Sequence, residues 1–210
     1  MDFMKNIFVD TCVWWHWFSY LKQSSKLSSN LKAESEAFQQ IYNIVLNSSS
    51  KQFVFNQKIV DELSSQFAAQ FKEKVLPFAK KVPIPLTRLD GTYKFDGSIL
   101  CGGNFGGTLR DLLVIYGYKH ADKLEEAAEF LAPDAYLYKT KPRKKEFDIE
   151  HMESALECDA ELFITTDEKT ILNLLEKAVK LYPTQHPVVR MHLIAKLPSE
   201  SLSILMYSNQ

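Results

Sequence analysis

Cysteine is scarce in this 210-residue chain, and the three present, Cys12, Cys101 and Cys158, are odd in number and widely separated. That spacing speaks against a disulfide framework and offers no paired zinc ligands, so free thiols are expected. A charge of one sign is lacking as well. With 25 Lys and Arg against 26 Asp and Glu the net charge is −1, and any nucleic-acid surface has to be a local patch. No apolar run is long enough to span a bilayer. Residues Met1 to Lys5 include Asp2 and lack the basic start and long apolar stretch of a signal peptide, so a cytoplasmic protein without membrane contact is expected. No internal repeat is found. What is present, 46% hydrophobic and 24% charged residues, suits a single globular domain over residues 1–210 that carries an insertion.

Apolar spacing alternates between strand and helix along the chain. Asn6 to Val9 is a short β-type run stopping at Asp10, and Thr11 to Leu21 is dense in Val, Trp and Phe at helical spacing. A Ser-rich connector, Ser24 to Asn30, precedes a second helix marked by Leu31, Phe38, Ile41 and Val45. Gln52 to Phe55 predicts a strand and Asn56 a helix N-cap; Ile59, Leu63, Phe67 and Phe71 then line one face of a helix that Pro77 ends or kinks. From Val82 the pattern breaks, because Pro83, Pro85, the Asp90-Gly91 turn and alternating Tyr93 and Phe95 read as loop and hairpin. Helical spacing returns over Leu109 to Ile115 and Ala121 to Leu131, so residues 82–146 are expected to form an inserted hairpin and helical segment. Beyond it Asp148 opens a helix containing Ile149, Met152, Ala155 and Leu156. Glu161 to Thr165 reads as a strand, Ile171 to Leu181 as a helix, Val188 to Leu193 as a strand, and Leu202 to Tyr207 as a short element. Alternation of this kind implies an α/β protein with right-handed crossovers and a mainly parallel sheet between two helical layers.

Four acids fall where such a fold brings side chains together: Asp10 and Asp167 after strands, Glu62 in the second turn after the Asn56 cap, and Asp148 in the first turn of its helix. Carboxylates gathered without a basic counterpart repel one another, and a divalent cation is the usual way to offset that repulsion. Each acid has a plainer role open to it: Asp148 can stabilise a helix N-terminus, Asp167 can cap the helix starting at Glu168, and Glu62 or its neighbour Asp61 can be solvated. Asp10 is the hardest to assign a plain role, since it follows Ile7-Phe8-Val9 directly and precedes a strongly apolar helix. Glu150 and Asp159 read as helix-surface and turn residues.

The stretches Ile7-Phe8-Val9-Asp10-Thr11, Asn56 to Leu63 with Glu62, Asp148 to Glu157 with Ala155-Leu156-Glu157, and Leu162-Phe163-Ile164-Thr165-Thr166-Asp167 resemble, in order and rough spacing, the successive acidic motifs of the PIN-domain (PilT N-terminus-like) family. The resemblance covers the start of the chain to about Phe71 and again from Phe147 to near the end. It implies a PIN-like three-layer fold and a metal-dependent endoribonuclease, similar to the toxin ribonucleases of type II toxin–antitoxin pairs. In such a protein Asp10, Glu62, Asp148 and Asp167 hold Mg2+ or Mn2+, with Asp10 and Asp167 as direct ligands. The resemblance also implies RNA as substrate and an antitoxin protein as partner. Thr11 and Thr165 are expected to orient ligands or the scissile phosphate.

The basic run Lys139, Lys141, Arg143, Lys144 and Lys145 either holds an RNA backbone beside the acids or is a solvated loop. Cys101 to Gly107 reads as a turn or, alternatively, as an anion-binding nest of backbone amides. Trp14, Trp15, Trp17 and Phe18 exceed what one buried helix face can hold, so part of that cluster is assigned to an antitoxin or homodimer interface. Alternatives to the ribonuclease are a catalytically degenerate RNA- or protein-binding module, a phosphohydrolase of small substrates and an interaction scaffold. A phosphatase of the haloacid-dehalogenase type is disfavoured because position 12 is not Asp.

Overall fold

The computed structural model describes residues 4–23, 25–84, 143–180, 182, 184 and 186–207. The expected hairpin, the glycine-rich segment and most of the basic run lie outside these residues. Five parallel strands form one sheet: β1 (Lys5–Val9), β2 (Lys51–Phe55), β3 (Ala79–Lys81), β4 (Ala160–Ile164) and β5 (Ala195–Lys196), in the order β3-β2-β1-β4-β5. The chain therefore winds outward from β1 through β2 to β3, then crosses to the other side of β1 for β4 and β5. The reversal falls between β1 and β4, and the crevice beyond the carboxyl ends of such a strand pair is where open α/β sheets bind ligands.

Helices cover both faces, which is why Ile7, Phe8 and Val9 are all buried rather than alternating with polar residues. On one face lie α1 (Thr11–Leu21), α2 (Ser29–Leu46) and α4 (Ser65–Lys74), whose aromatic rings meet those of β2. Trp14 stands at the centre of that layer, with Phe38, Phe53 and Phe71 edge-on to it at 5.1, 5.5 and 5.2 Å. Its indole N–H donates to the Val9 carbonyl at 3.1 Å, so the core tryptophan also fixes the strand end that leads into Asp10. Trp17 and Phe18 are buried with it, whereas Trp15 is 43% exposed. On the other face Phe8 stacks on Phe163 at 5.7 Å and meets the His151 ring of α5 (Arg143–Glu157) at 6.0 Å.

The remaining helices are α3 (Gln57–Glu62), α6 (Asn173–Ala178), α7 (Pro187–Ile194) and α8 (Pro198–Tyr207). Glu34 on α2 anchors the first turn of α8 by accepting from the Ser199 N–H and hydroxyl, each at 2.9 Å.

Several expectations need correction. Asp148 does not open its helix: α5 begins at Arg143, because Arg143-Lys144-Lys145-Glu146 are good helix formers that extend it by more than a turn. The single helix expected after Asn56 is two, since Leu63 turns extended (φ −68°, ψ 135°) to bury its side chain and Ser64 starts α4. Val188 to Leu193 is helix, not strand. Pro187 at the first helical position and the His186 ring accepting from the Val188 N–H at 3.2 Å start α7, and burial of Val188, Val189 and Met191 outweighs β-branched preference. Ala79–Lys81, assigned to no element by pattern, is the edge strand β3. Glu150 is buried, not on the helix surface, and lies 3.8 Å from Lys58.

Candidate functional site

Asp10 is the first residue past β1, and its backbone N–H donates to Ile164 O at 2.9 Å, which ties the ends of β1 and β4 together. It occupies the N-cap position of α1 yet makes no capping bond with its side chain. The carboxylate turns instead into the crevice, where Oδ2 accepts from Thr165 Oγ1 at 2.8 Å and from the Cys12 thiol at 2.9 Å. With 4% exposure the charge is poorly solvated. Burial pushes the Asp10 carboxyl above its ordinary range, the nearby Glu62 charge pushes it further, and His151 with the two hydrogen bonds pulls it back only in part.

Glu62, at the end of α3, meets the start of α1: Thr11 Oγ1 donates to its Oε2. His151 Nε2 lies 2.9 Å from the same oxygen and 3.2 Å from Thr11 Oγ1. A carboxylate only accepts, so Nε2 is the protonated nitrogen of that ring. Burial raises the Glu62 pKa, but the His151 bond and charge, the Thr11 hydroxyl and Lys58 together outweigh it and hold the group below its usual value. The placement of α5 that brings His151 here depends on Asn56. Its side-chain Oδ1 caps α3 at Ile59 N while Nδ2 donates to Ser154 Oγ at 3.0 Å on α5.

Asp167 is joined to Asp10 indirectly. Thr165 Oγ1 donates to Asp10 and accepts the Asp167 N–H at 3.1 Å. The Asp167 carboxylate accepts from Thr170 N at 2.7 Å, capping a π-helical turn, Glu168–Leu172, that runs into α6. Asp148 is half-buried one turn before His151. Thus Asp10, Glu62, Thr11 and Thr165 gather at one edge and Asp167 borders it with its side chain committed to a cap.

Two histidines belong to this edge and carry no signal in the local sequence. His151 is fully buried, and its Nδ1 makes no hydrogen bond among the described residues. His16 lies on α1 with Nδ1 2.8 Å from Thr166 Oγ1. A lone histidine at helical spacing is ordinary, and only the fold brings His16 to Thr166 and His151 to Glu62.

Among the described residues no three or more His, Cys, Asp or Glu side chains stand closely enough round one point to enclose an ion. The donor chemistry at Asp10 and Glu62 still fits a hydrated hard cation. Mg2+ is usually held by one or two carboxylates with several waters and substrate phosphates. Of the basic run, residues 143–145 form the first turn of α5, and Lys139 and Lys141 lie outside the described residues. No helix among the described residues is long and apolar enough to cross a membrane. No family model matches the chain, and no curated protein or solved structure matches it either.

Proposed function

We propose that this chain is a PIN-like, metal-dependent endoribonuclease that hydrolyses RNA phosphodiester bonds at the edge formed by Asp10 and Glu62. The observation that carries the reading is Asp10: a buried carboxylate beyond β1, at the point where strand order reverses, costs stability, and a cation beside it offsets that cost. Asp10 and Glu62 would hold Mg2+ or Mn2+, with Asp148 and Asp167 contributing from farther out. When bound, the ion lowers the pKa of a coordinated water and offsets charge on the phosphate. The protein's own part is positional. Thr165 and Cys12 fix Asp10 Oδ2, so its other oxygen is the one turned to a ligand. Thr11 and His151 do the same for Glu62 Oε2. Lys139, Lys141, Arg143, Lys144 and Lys145 contact the RNA backbone, and a protein partner restrains the activity from the Trp15 side of α1.

The test is cleavage of single-stranded and structured RNAs with Mg2+ or Mn2+ present. Wild-type protein cuts, and folded Asp10→Asn and Glu62→Gln proteins do not. A second reading, a binding module without activity, is favoured by the lack of a three-ligand cluster among the described residues. Wild-type protein that binds RNA and leaves it intact under all these conditions establishes that reading.

A further inference from the structure

The acids leave one titratable side chain at the same edge without a role. His16 stands on α1, its Nδ1 2.8 Å from Thr166 Oγ1 just past β4, so the ring joins the helix that follows β1 to the segment that follows β4. We propose that His16 is the general base of the hydrolysis, accepting a proton at Nε2 from the attacking water. The inference rests on the ribonuclease reading above and names a residue that the acidic motifs do not contain.

A base at Nε2 requires the Nδ1–H tautomer, which a single direction of hydrogen bonds along this edge supplies. Asp10 can only accept, so the Cys12 thiol donates to it at 2.9 Å. The Cys12 sulfur in turn accepts from Thr166 Oγ1 at 3.1 Å and from Thr166 N at 3.4 Å. With the Thr166 hydroxyl proton directed at the Cys12 sulfur, its oxygen accepts from His16 Nδ1. In that arrangement Nδ1 carries the ring proton and the lone pair is on Nε2, where no hydrogen bond is made among the described residues. The chain His16 to Thr166 to Cys12 to Asp10 points every donor toward the buried carboxylate, and such chains strengthen cooperatively.

The titratable groups facing the ring are Asp10 from the end of β1 and, behind Thr166, Cys12. Burial lowers the His16 pKa and Asp10 raises it by less, so the ring is neutral at pH 7 and free to accept a proton. In the step itself Nε2 takes a proton from water as the new O–P bond forms. The P–O bond to the leaving nucleoside breaks, the leaving oxygen takes a proton from bulk water, and His16 returns its proton to solvent.

The experiment is kcat and KM against pH for RNA cleavage by wild-type, His16→Gln and Thr166→Val proteins at saturating Mn2+, with folding checked by circular dichroism. A general base contributes about 100-fold or more, so His16→Gln is expected to lose about that factor in kcat and to lose the ascending acid limb of the wild-type profile. Thr166→Val, which removes the acceptor for Nδ1–H, is expected to lower kcat with little change in KM. If His16→Gln does not fold, 15N chemical shifts of the wild-type ring decide the matter: an Nδ1–H tautomer supports the proposal and an Nε2–H tautomer overturns it. Active wild type with an unchanged rate and profile in His16→Gln overturns this inference alone. Wild type that cuts no RNA overturns it together with the ribonuclease reading.

Discussion

Replacing Asp10 by Asn is expected to make the protein more stable at pH 7 while removing its activity. Asn has the same shape, and its carbonyl oxygen can take the place of Oδ2 and keep the Thr165 bond; what weakens is the strength a charge lends that bond, about 1 kcal/mol. What is gained is release from burying a charge, which costs several kcal/mol in proteins and which Thr165, Cys12 and His151 offset only in part, as the raised Asp10 pKa records. The net expectation is about 2 kcal/mol in favour of the variant, or a Tm higher by roughly 4–8 °C for a chain of this size. The sign follows from the direction of the shift. A carboxyl whose folded pKa lies above its unfolded value near 3.8 contributes stability below that value and loses it as pH rises through the folded pKa, so the advantage of Asn is present at pH 7 and disappears below about pH 4. Urea unfolding in chelator, followed by fluorescence of the buried Trp14 and Trp17, measures it. Added Mg2+ should stabilise wild type by about 2.7 kcal/mol at 100 times its Kd and leave the variant unmoved. An Asn variant less stable than wild type at pH 7 in chelator refutes the claim that Asp10 is held at a cost.

Glu62→Gln should act oppositely on acid sensitivity. Burial raises the Glu62 pKa but His151, Thr11 and Lys58 bring it below 4.5, so its contribution is present above that value and is lost as pH falls through the folded pKa; urea midpoints between pH 6 and 3 should fall less steeply in the variant. Trp14→Ala empties the centre of the α1, α2 and α4 layer and removes the indole bond to Val9, so a loss of about 3–5 kcal/mol is expected by urea titration. Asn56→Ala removes the α3 cap and the tie to Ser154, and should cost about 2 kcal/mol and lower RNA cleavage through misplacement of His151.

Much of the scaffold is legible from local pattern because the relevant forces are local. An acid directly after Ile7-Phe8-Val9 marks a strand end pointing at a crevice, and Ile59 with Leu63 facing the core puts Glu62, not Asp61, on the inner side; Asp61 is exposed and pairs with Gln57 at 3.0 Å. Thr11 and Thr165, by contrast, give their hydroxyl protons to Glu62 and Asp10, acids far from them in sequence, and that pairing comes only with the fold. The parts that escape local reading are set by tertiary contact. Val188 and Val189 favour strand by propensity and enter a helix because that helix buries them. Glu150 looks solvated by composition but faces Lys58 on another element. His16 meets Thr166 only when β4 pairs with β1, and His151 reaches Glu62 only when α5 packs there; spacing encodes neither contact.

The account stands on Asp10 and Glu62 sharing one cation at the β1 edge. The most direct measurement is Mn2+-induced broadening in the two-dimensional NMR spectrum of the 24.2 kDa protein. Amide signals of Asp10, Thr11, Glu62 and Thr165 should broaden first at substoichiometric Mn2+, and none of them should respond in Asp10→Asn. Broadening that begins elsewhere in the chain, or that is the same in the variant, would contradict it.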